Sequence, residues 1–554
     1  MEKSNTCHFV SPYKILIFLL FFVSLLSFQT AFTQALPAKY LLVFKDKNNS
    51  PYSITQPLAY LSERSVARRQ KQKIAFTTRD LPVNPSYIEE VKKKGAKVIY
   101  TSRWMNAALI ECSSTVLTSI LQLSFVKGLE VNTSIDNPNN RTARKSSKFE
   151  SYETNALNYG LSKTQIEMIG ADKMHEQGFH GEGMMIAVLD AGFNNANNIA
   201  ALKPLFDENR IVGTYDFVKK EKAVYEDDGH GTSVLSCMGA YLDGQIVGTA
   251  YKSSFLLLRT EDAFSEYLIE EANWLFGAEY ADSVGVDLIN SSLGYSTFDD
   301  ASTSHKYSDL NGKTTIAAKA ATWAASVGIV CVISAGNEGN DAWRYISTPA
   351  DADSIITVGA VNALKSYAIF SSIGPSADGR VKPDLVALGQ SSAIATPSGT
   401  VTTSTGTSFS SPILCGMVAG FWQANPTLTA MEVIDRLRKS GSQYENPDER
   451  LGYGIPDFTR ANTPTVVLST QNESNALFKA YPNPTSGEIT IQLNETKVNQ
   501  YFTSLMDITG KTLLYQPINS QIFKLSLVHL NRGTYFLRIG NESKSTLVKV
   551  LKVE

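Results

Sequence analysis

Apolar and polar positions alternate with different periods along the chain, and the period changes three times. Between residues 161 and 463 short continuous apolar runs recur at 185–189, 255–258, 286–289, 329–333 and 355–358. Runs of this length without polar alternation suit strands buried on both faces of a parallel sheet. Stretches with helical spacing separate them, at 164–177, 231–241, 264–283, 315–326, 409–423 and 429–439. The pattern predicts an α/β domain of three layers around a mostly parallel sheet. Upstream, over 36–136, strand-like stretches at 40–44 and 107–110 flank a helical stretch at 86–94, which predicts a small α+β unit. Downstream, over 471–554, alternating stretches at 489–493, 505–507, 512–515, 523–527, 535–539 and 547–551 are divided by turn residues such as Thr509-Gly510 and Asn531-Arg532-Gly533. That is the pattern of a β-sandwich.

The N-terminus has a different character. Lys3 and Lys14 precede an apolar run of 14 residues at 15–28, followed by the small and polar Thr30-Ala31-Phe32-Thr33-Gln34-Ala35. A membrane-spanning helix needs about 20 residues, so 1–35 is expected to be a cleavable signal peptide. No cysteine follows the run closely, so no lipoprotein anchor is expected. Residues 137–160 are polar and include Pro138, Arg141, Arg144 and Lys145. They are expected to form an exposed linker open to cleavage, and 464–470 a second linker.

Composition narrows the class. A chain of 554 residues is too long for one core, so several domains are expected. With 43% hydrophobic residues, 19% charged and a net charge of −2, nothing points to nucleic acid or an anionic membrane as partner. The basic cluster Arg64, Arg68, Arg69, Lys71 and Lys73 is expected to be a solvated helix face. Of five cysteines, Cys7 falls in the signal and Cys112 in the upstream unit. Cys237, Cys331 and Cys415 sit in apolar contexts and are expected to be buried free thiols, with a Cys237–Cys415 bridge left open.

Four segments carry candidate chemistry. In Ile186-Ala187-Val188-Leu189-Asp190-Ala191-Gly192 an apolar strand ends in a carboxylate, and ligands of open α/β sheets gather beyond the carboxyl ends of strands. In Asp228-Gly229-His230-Gly231-Thr232-Ser233 glycines frame a histidine at a strand-to-helix junction. The other histidines have plainer settings: His8 in the signal, His529 in the terminal sandwich, and His175, His180 and His305 in polar stretches expected at the surface. In Gly406-Thr407-Ser408-Phe409-Ser410-Ser411-Pro412 a serine opens a helix, whose N-terminus supplies backbone donors. Helix capping by any of these hydroxyls is the alternative. In Ile333-Ser334-Ala335-Gly336-Asn337-Glu338-Gly339 an asparagine follows a buried strand, where its amide could serve an oxyanion or simply hold a turn.

Together these segments resemble the active-site signatures of the subtilisin-like serine peptidases (subtilases, peptidase family S8), in that family's chain order Asp, His, Ser. Ser291-Ser292-Leu293-Gly294 resembles the family's substrate-binding edge strand. Lys382-Pro383-Asp384-Leu385-Val386-Ala387 resembles another recurrent segment, and Pro349 the proline beside the specificity pocket that is often cis. Three positions depart from the pattern: Ala191, Ser233 and Phe409-Ser410 stand where Thr or Ser, a second His, and Met-Ala are commoner. Residues 36–136 look like the family's inhibitory propeptide. The tail, with Ala480-Tyr481-Pro482-Asn483-Pro484 and Gly533-Thr534-Tyr535, resembles the C-terminal sorting domain of type IX secretion substrates.

The resemblance implies a secreted serine endopeptidase exported through the periplasm and across the outer membrane. Asp190, His230 and Ser408 would be its triad and Asn337 its oxyanion donor. Ser292, Leu293, Gly294, Ser334, Ala335 and Gly336 would bind substrate in an open, mainly apolar pocket with Glu338 at the rim. No metal is expected in catalysis, although structural calcium is frequent in the family and maps to no residue here. Expected partners are protein and peptide substrates, the chain's own propeptide and the secretion machinery. A monomer without nucleic acid is expected. The rival reading is a non-catalytic surface-binding protein on a peptidase scaffold.

Overall fold

The computed structural model describes residues 37–136, 158–463, 478–494, 498, 501–507, 511–541 and 545–553. The expected signal peptide at 1–35, most of the linker at 137–160, all of the linker at 464–470 and the turn at Thr509-Gly510 lie outside the described residues. The chain divides into two compact units, 1–462 and 463–554.

The first unit contains two large sheets and two small two-stranded ones. The smaller of the large sheets is antiparallel, in the order β2-β3-β1-β4, built from β1 (Ala38–Phe44), β2 (Lys97–Ser102), β3 (Ala107–Cys112) and β4 (Val126–Leu129). Its side chains alternate faces, as strand geometry requires. Leu42 and Phe44 join Val91 of α2 (Pro85–Lys93) and Ile120 of α3 (Ser114–Leu121) in a core of their own. Leu41 and Val43 point the other way, into a cluster with Trp274 and Ala278 of α5 (Ile269–Val284) and Ala317 of α6 (Ile316–Ser326). The small domain is therefore docked on two helices of the larger one through half of its strand residues.

The larger sheet has seven strands, all parallel: β5 (Met185–Asp190), β6 (Ile211–Asp216), β7 (Ser254–Arg259), β8 (Leu288–Ser291), β9 (Val330–Ser334), β10 (Ile356–Val361) and β11 (Leu385–Leu388), in the order β11-β10-β9-β8-β5-β7-β6. α5 and α6 cover one face. α4 (His230–Gly239), α7 (Thr407–Ala424) and α8 (Ala430–Lys439) cover the other. Except for β6 at the edge, the strands are buried on both sides, which is why they read as continuous apolar runs. The stretch expected to be helical at 164–177 is two short helices, Lys163–Met168 and Ala171–Glu176, parted at Gly170. There φ is +70°, and a Cβ would fall 2.9 Å from the Asp457 carboxylate.

The basic cluster is not a solvated face. It lies on α1 (Glu63–Lys71), whose N-cap Ser62 accepts from the Ser65 amide at 3.1 Å. Lys71 and Lys73 are exposed, but Arg68 and Arg69 are buried. Both reach Asp282 on α5, Arg69 at 2.7 Å, and Arg69 also meets Asp80 at 2.5 Å. Arg103 joins the same Asp282 carboxylate at 2.6 Å. Burial alone would raise the Asp282 carboxyl, but these three guanidiniums hold it below the ordinary range. Glu279, one turn earlier on α5, accepts from the Arg103 backbone amide at 2.9 Å. The arginines can be buried because Asp282, across the domain junction, meets all three, with Asp80 of their own domain adding a second partner for Arg69.

Cys112, Cys237, Cys331 and Cys415 are all buried free thiols, so the Cys237–Cys415 bridge left open above is not formed. His175 is buried as well, against the surface expectation. Its ring nitrogens meet the Tyr159 hydroxyl and the Thr249 carbonyl, both at 3.1 Å.

The second unit is an antiparallel β-sandwich of a three-stranded and a four-stranded sheet sharing one core, with Ile489, Ile491, Leu505, Leu537, Ile539 and Val550 inside. Asn483 ties its first connection to its last strand. The side chain donates to Lys549 O at 2.6 Å and accepts from Leu551 N at 2.9 Å.

Candidate active site

Asp190 is the last residue of β5, and its neighbour β7 runs beside it in register, so its carboxylate emerges at the carboxyl edge of the sheet's middle. It is fully buried. His230 is the first residue of α4, and the Asp228 carboxylate caps that helix by accepting the His230 amide at 2.6 Å. Gly231 lets the helix lie against β5. A Cβ there would sit 2.5 Å from Gly192 O and 3.0 Å from the Asp190 Cβ. The imidazole Nδ1 consequently lies 2.8 Å from Asp190 Oδ1, which also accepts from Ala191 N at 2.8 Å. Burial pushes the imidazole toward its neutral form, but the charge and hydrogen bond of Asp190 outweigh it and lift the pKa to about 9.

Ser408 is the second residue of α7, and its hydroxyl lies 3.4 Å from the Ser292 carbonyl. Pro412, inside α7, leaves a gap. It has no N–H for the carbonyl four residues back, which is that of Ser408. Ser292 Oγ fills the gap by donating to Ser408 O at 2.8 Å. The end of β8 thus fixes the first turn of the helix that carries Ser408.

Asn337 follows β9. Its Oδ1 accepts from the Thr407 amide at 2.8 Å and from the Thr407 hydroxyl at 3.1 Å. An amide N–H can only donate, so the Asn337 oxygen is committed to Thr407 and its NH₂ remains as an exposed donor.

One cavity of about 540 Å³ brings His230, Ser408 and Asn337 together with Ser292, Leu293, Gly294, Ser334 and Gly336. Ala335 is not among them. It is fully buried and its side chain belongs to the core, because successive residues leaving a strand face opposite ways. The Thr348–Pro349 bond beside the cavity is cis. The cleft as a whole is acidic. Asp228, Glu261, Asp262, Glu266, Asp299 and Glu338 line it, and no lysine or arginine does. Glu338 is held by the hydroxyls of Ser372 at 2.8 Å and Ser347 at 3.3 Å. Sequence reasoning missed Glu261, although it lies just beyond the carboxyl end of β7, the same signal that singled out Asp190. Among the described residues no group of three or more His, Cys, Asp or Glu is arranged to hold a metal ion.

Such an α/β sheet, with a buried Asp paired to a cleft-lining His and a helix-borne serine in the same cleft, has the architecture of a serine hydrolase. The comparisons with known proteins narrow the class. Residues 181–454 match the Subtilase family, 39–149 the Peptidase S8 propeptide domain of Bacteroidota, and 479–553 the secretion system C-terminal sorting domain. Subtilisin DY of Bacillus licheniformis is 30% identical over 280 residues, 50% of this chain and 90% of that protein. Subtilisin of Bacillus pumilus is 31% identical over 288 residues, 51% and 91%. Subtilisin E of Bacillus subtilis (strain 168) is 31% identical over 292 residues, 52% and 67%. The chain belongs to the subtilase family. It is a serine endopeptidase with a propeptide and a sorting domain for export across the outer membrane, to the cell surface or beyond.

Proposed function

We propose that Ser408 is the nucleophile of this endopeptidase, His230 its general base and acid, and Asp190 the group that orients and stabilises the imidazolium. The observation that carries this reading is the 2.8 Å contact of His230 Nδ1 with Asp190 in a cleft that Ser408 also lines. In that contact Nδ1 holds the proton, leaving Nε2 to take one from Ser408 as the hydroxyl attacks a peptide carbonyl. The Asn337 NH₂ and the backbone N–H of Ser408 stabilise the oxyanion of the tetrahedral intermediate. His230 then protonates the leaving amine, and water, activated the same way, releases the acyl group. None of these steps calls on a metal. The domain docked on α5 and α6 is the intramolecular inhibitor, cut free within 137–160, and the mature enzyme acts as a monomer. The second unit, 463–554, serves export and supplies nothing to the chemistry.

The test is labelling with a fluorophosphonate, which reacts only with an activated serine. Wild-type enzyme should label and hydrolyse peptides. Ser408→Ala should do neither, and should accumulate with residue 40 still attached. Labelling that survives in Ser408→Ala would reassign the nucleophile.

A further inference from the structure

The six carboxylates of the cleft are not equivalent. Asp228 caps α4 through the His230 amide. Asp262 faces the Arg259 guanidinium at 3.6 Å. Asp299 accepts from the Glu266 amide at 3.1 Å, and Glu338 is held by two serines. Glu261 has no hydrogen-bond or ion-pair partner among the described residues. It feels the charges of the His230–Asp190 pair, and of its charged neighbours Glu266, Asp190 and Asp228 are acidic while His230 alone acts in the opposite sense. Withdrawal from water and this negative surrounding push its carboxyl up to about 8. A carboxylate kept in such company is stabilised by a cation brought to it.

The position of Glu261 says which substrate residue brings that cation. If the segments that resemble the family's substrate-binding strands form the pocket for the acyl residue, its side chain lies between Gly294 and the 334–336 segment, whose Ser334 and Gly336 line the cleft with Ser408. Side chains of an extended peptide alternate. The preceding residue therefore turns away from that segment, toward the part of the cleft lined by His230 and Glu261.

We infer that Glu261 is a specificity-determining residue that selects lysine or arginine immediately before the acyl residue of the substrate, which makes cationic peptides the preferred class. The inference rests on the proposed reading of this cleft as the peptidase site. The chain's own sequence supplies such a peptide. Asp136, at the end of the docked domain, lines a second cavity whose walls include Asp262 and Ser265, residues that also line the cleft. The residues that follow include Arg141, Arg144, Lys145 and Lys148, with no acid before Glu150.

The experiment uses enzyme produced from the full chain and matured by its own host. Its kcat/KM is measured on succinyl-Ala-Ala-Xaa-Phe-p-nitroanilide with Lys, Leu or Glu at Xaa, and on a synthetic peptide of residues 138–150 beside a copy with its four cations replaced by Gln. Wild type should favour Lys over Leu by about tenfold or more, equivalent to about 1.4 kcal/mol, and should cut the cationic peptide faster. Glu261→Gln should bring the Lys/Leu ratio near one, and Glu261→Lys should turn the preference toward Glu. Equal rates for Lys and Leu in wild type, or a ratio unmoved in both variants, overturns the inference while leaving the peptidase reading intact. Failure of wild type to cut any of these peptides or to label with fluorophosphonate overturns that reading, and the inference with it.

Discussion

Replacing Asp282 by Asn should loosen the inhibitor without touching the chemistry. Every hydrogen-bond or ion-pair partner described for this carboxylate, Arg68, Arg69, Arg103 and Ser65, belongs to the docked domain. The substitution keeps the side chain's shape and removes its charge. Arg69 would still have Asp80 at 2.5 Å, and Arg103 a longer contact with Glu279 at 3.9 Å. Arg68, only 5% exposed, would keep the carbonyls of Val286 and Val327 but lose its one carboxylate. Stranding a buried charge in this way costs about 3–5 kcal/mol. At ~1.4 kcal/mol per factor of ten, that is two to three and a half orders of magnitude in affinity. The assay is inhibition of mature enzyme by the propeptide added in trans. The inhibition constant should rise at least about a hundredfold, while kcat/KM stays at the wild-type value because Asp282 does not line the cleft. An inhibition constant within threefold of wild type would show that the apolar contact of β1 and β3 with α5 and α6 holds the domain without the arginines.

Three further outcomes are expected. Asn337→Ala should lower kcat by roughly 10²–10³ with little change in KM; an effect confined to KM would make Asn337 a ground-state contact. The free enzyme's kcat/KM should rise with pH, because only neutral His230 can take the Ser408 proton and its pKa is lifted to about 9. Loss of the raising charge in Glu261→Gln should move that limb to lower pH, and a wild-type limb centred at or below the ordinary 6.5 would refute the electrostatics. Deleting 471–554 should leave the activity of purified enzyme nearly unchanged but trap it in the periplasm of its native host, and normal arrival outside the cell would unseat the sorting role.

How much of this was legible depended on range. The buried strands could be read because a strand covered on both faces has no polar alternation to hide it. Asp190, His230, Ser408 and Asn337 could be placed because each sits at an element's end beside glycine or small residues. Arg68 and Arg69 could not. Locally α1 looks like any basic helix, and the acid that draws them inward lies more than two hundred residues away on α5. The link from Ser292 to the Ser408 carbonyl was hidden for the same reason, since Pro412 announces a missing donor but not its replacement. The side chain of Ala335 turns to the core because residues leaving β9 alternate between cleft and core, which a family segment does not reveal. Glu261 stands in no signature at all; only the convergence of strand ends gives its carboxylate a neighbourhood.

The buried thiols bear on how this enzyme fails. Burial pushes Cys237, Cys331 and Cys415 above the ordinary thiol range, so in the folded enzyme they stay protonated and slow to react even where oxidants abound. No disulfide joins the described residues, so nothing covalent holds the fold if it opens. Opening would release all three sulfurs at once into an oxidising medium, where mispairing competes with return to the native state. Heat should therefore inactivate the enzyme irreversibly in air and much less so under a reductant, and the lifetime of the secreted enzyme is set by its rate of unfolding rather than by its equilibrium stability.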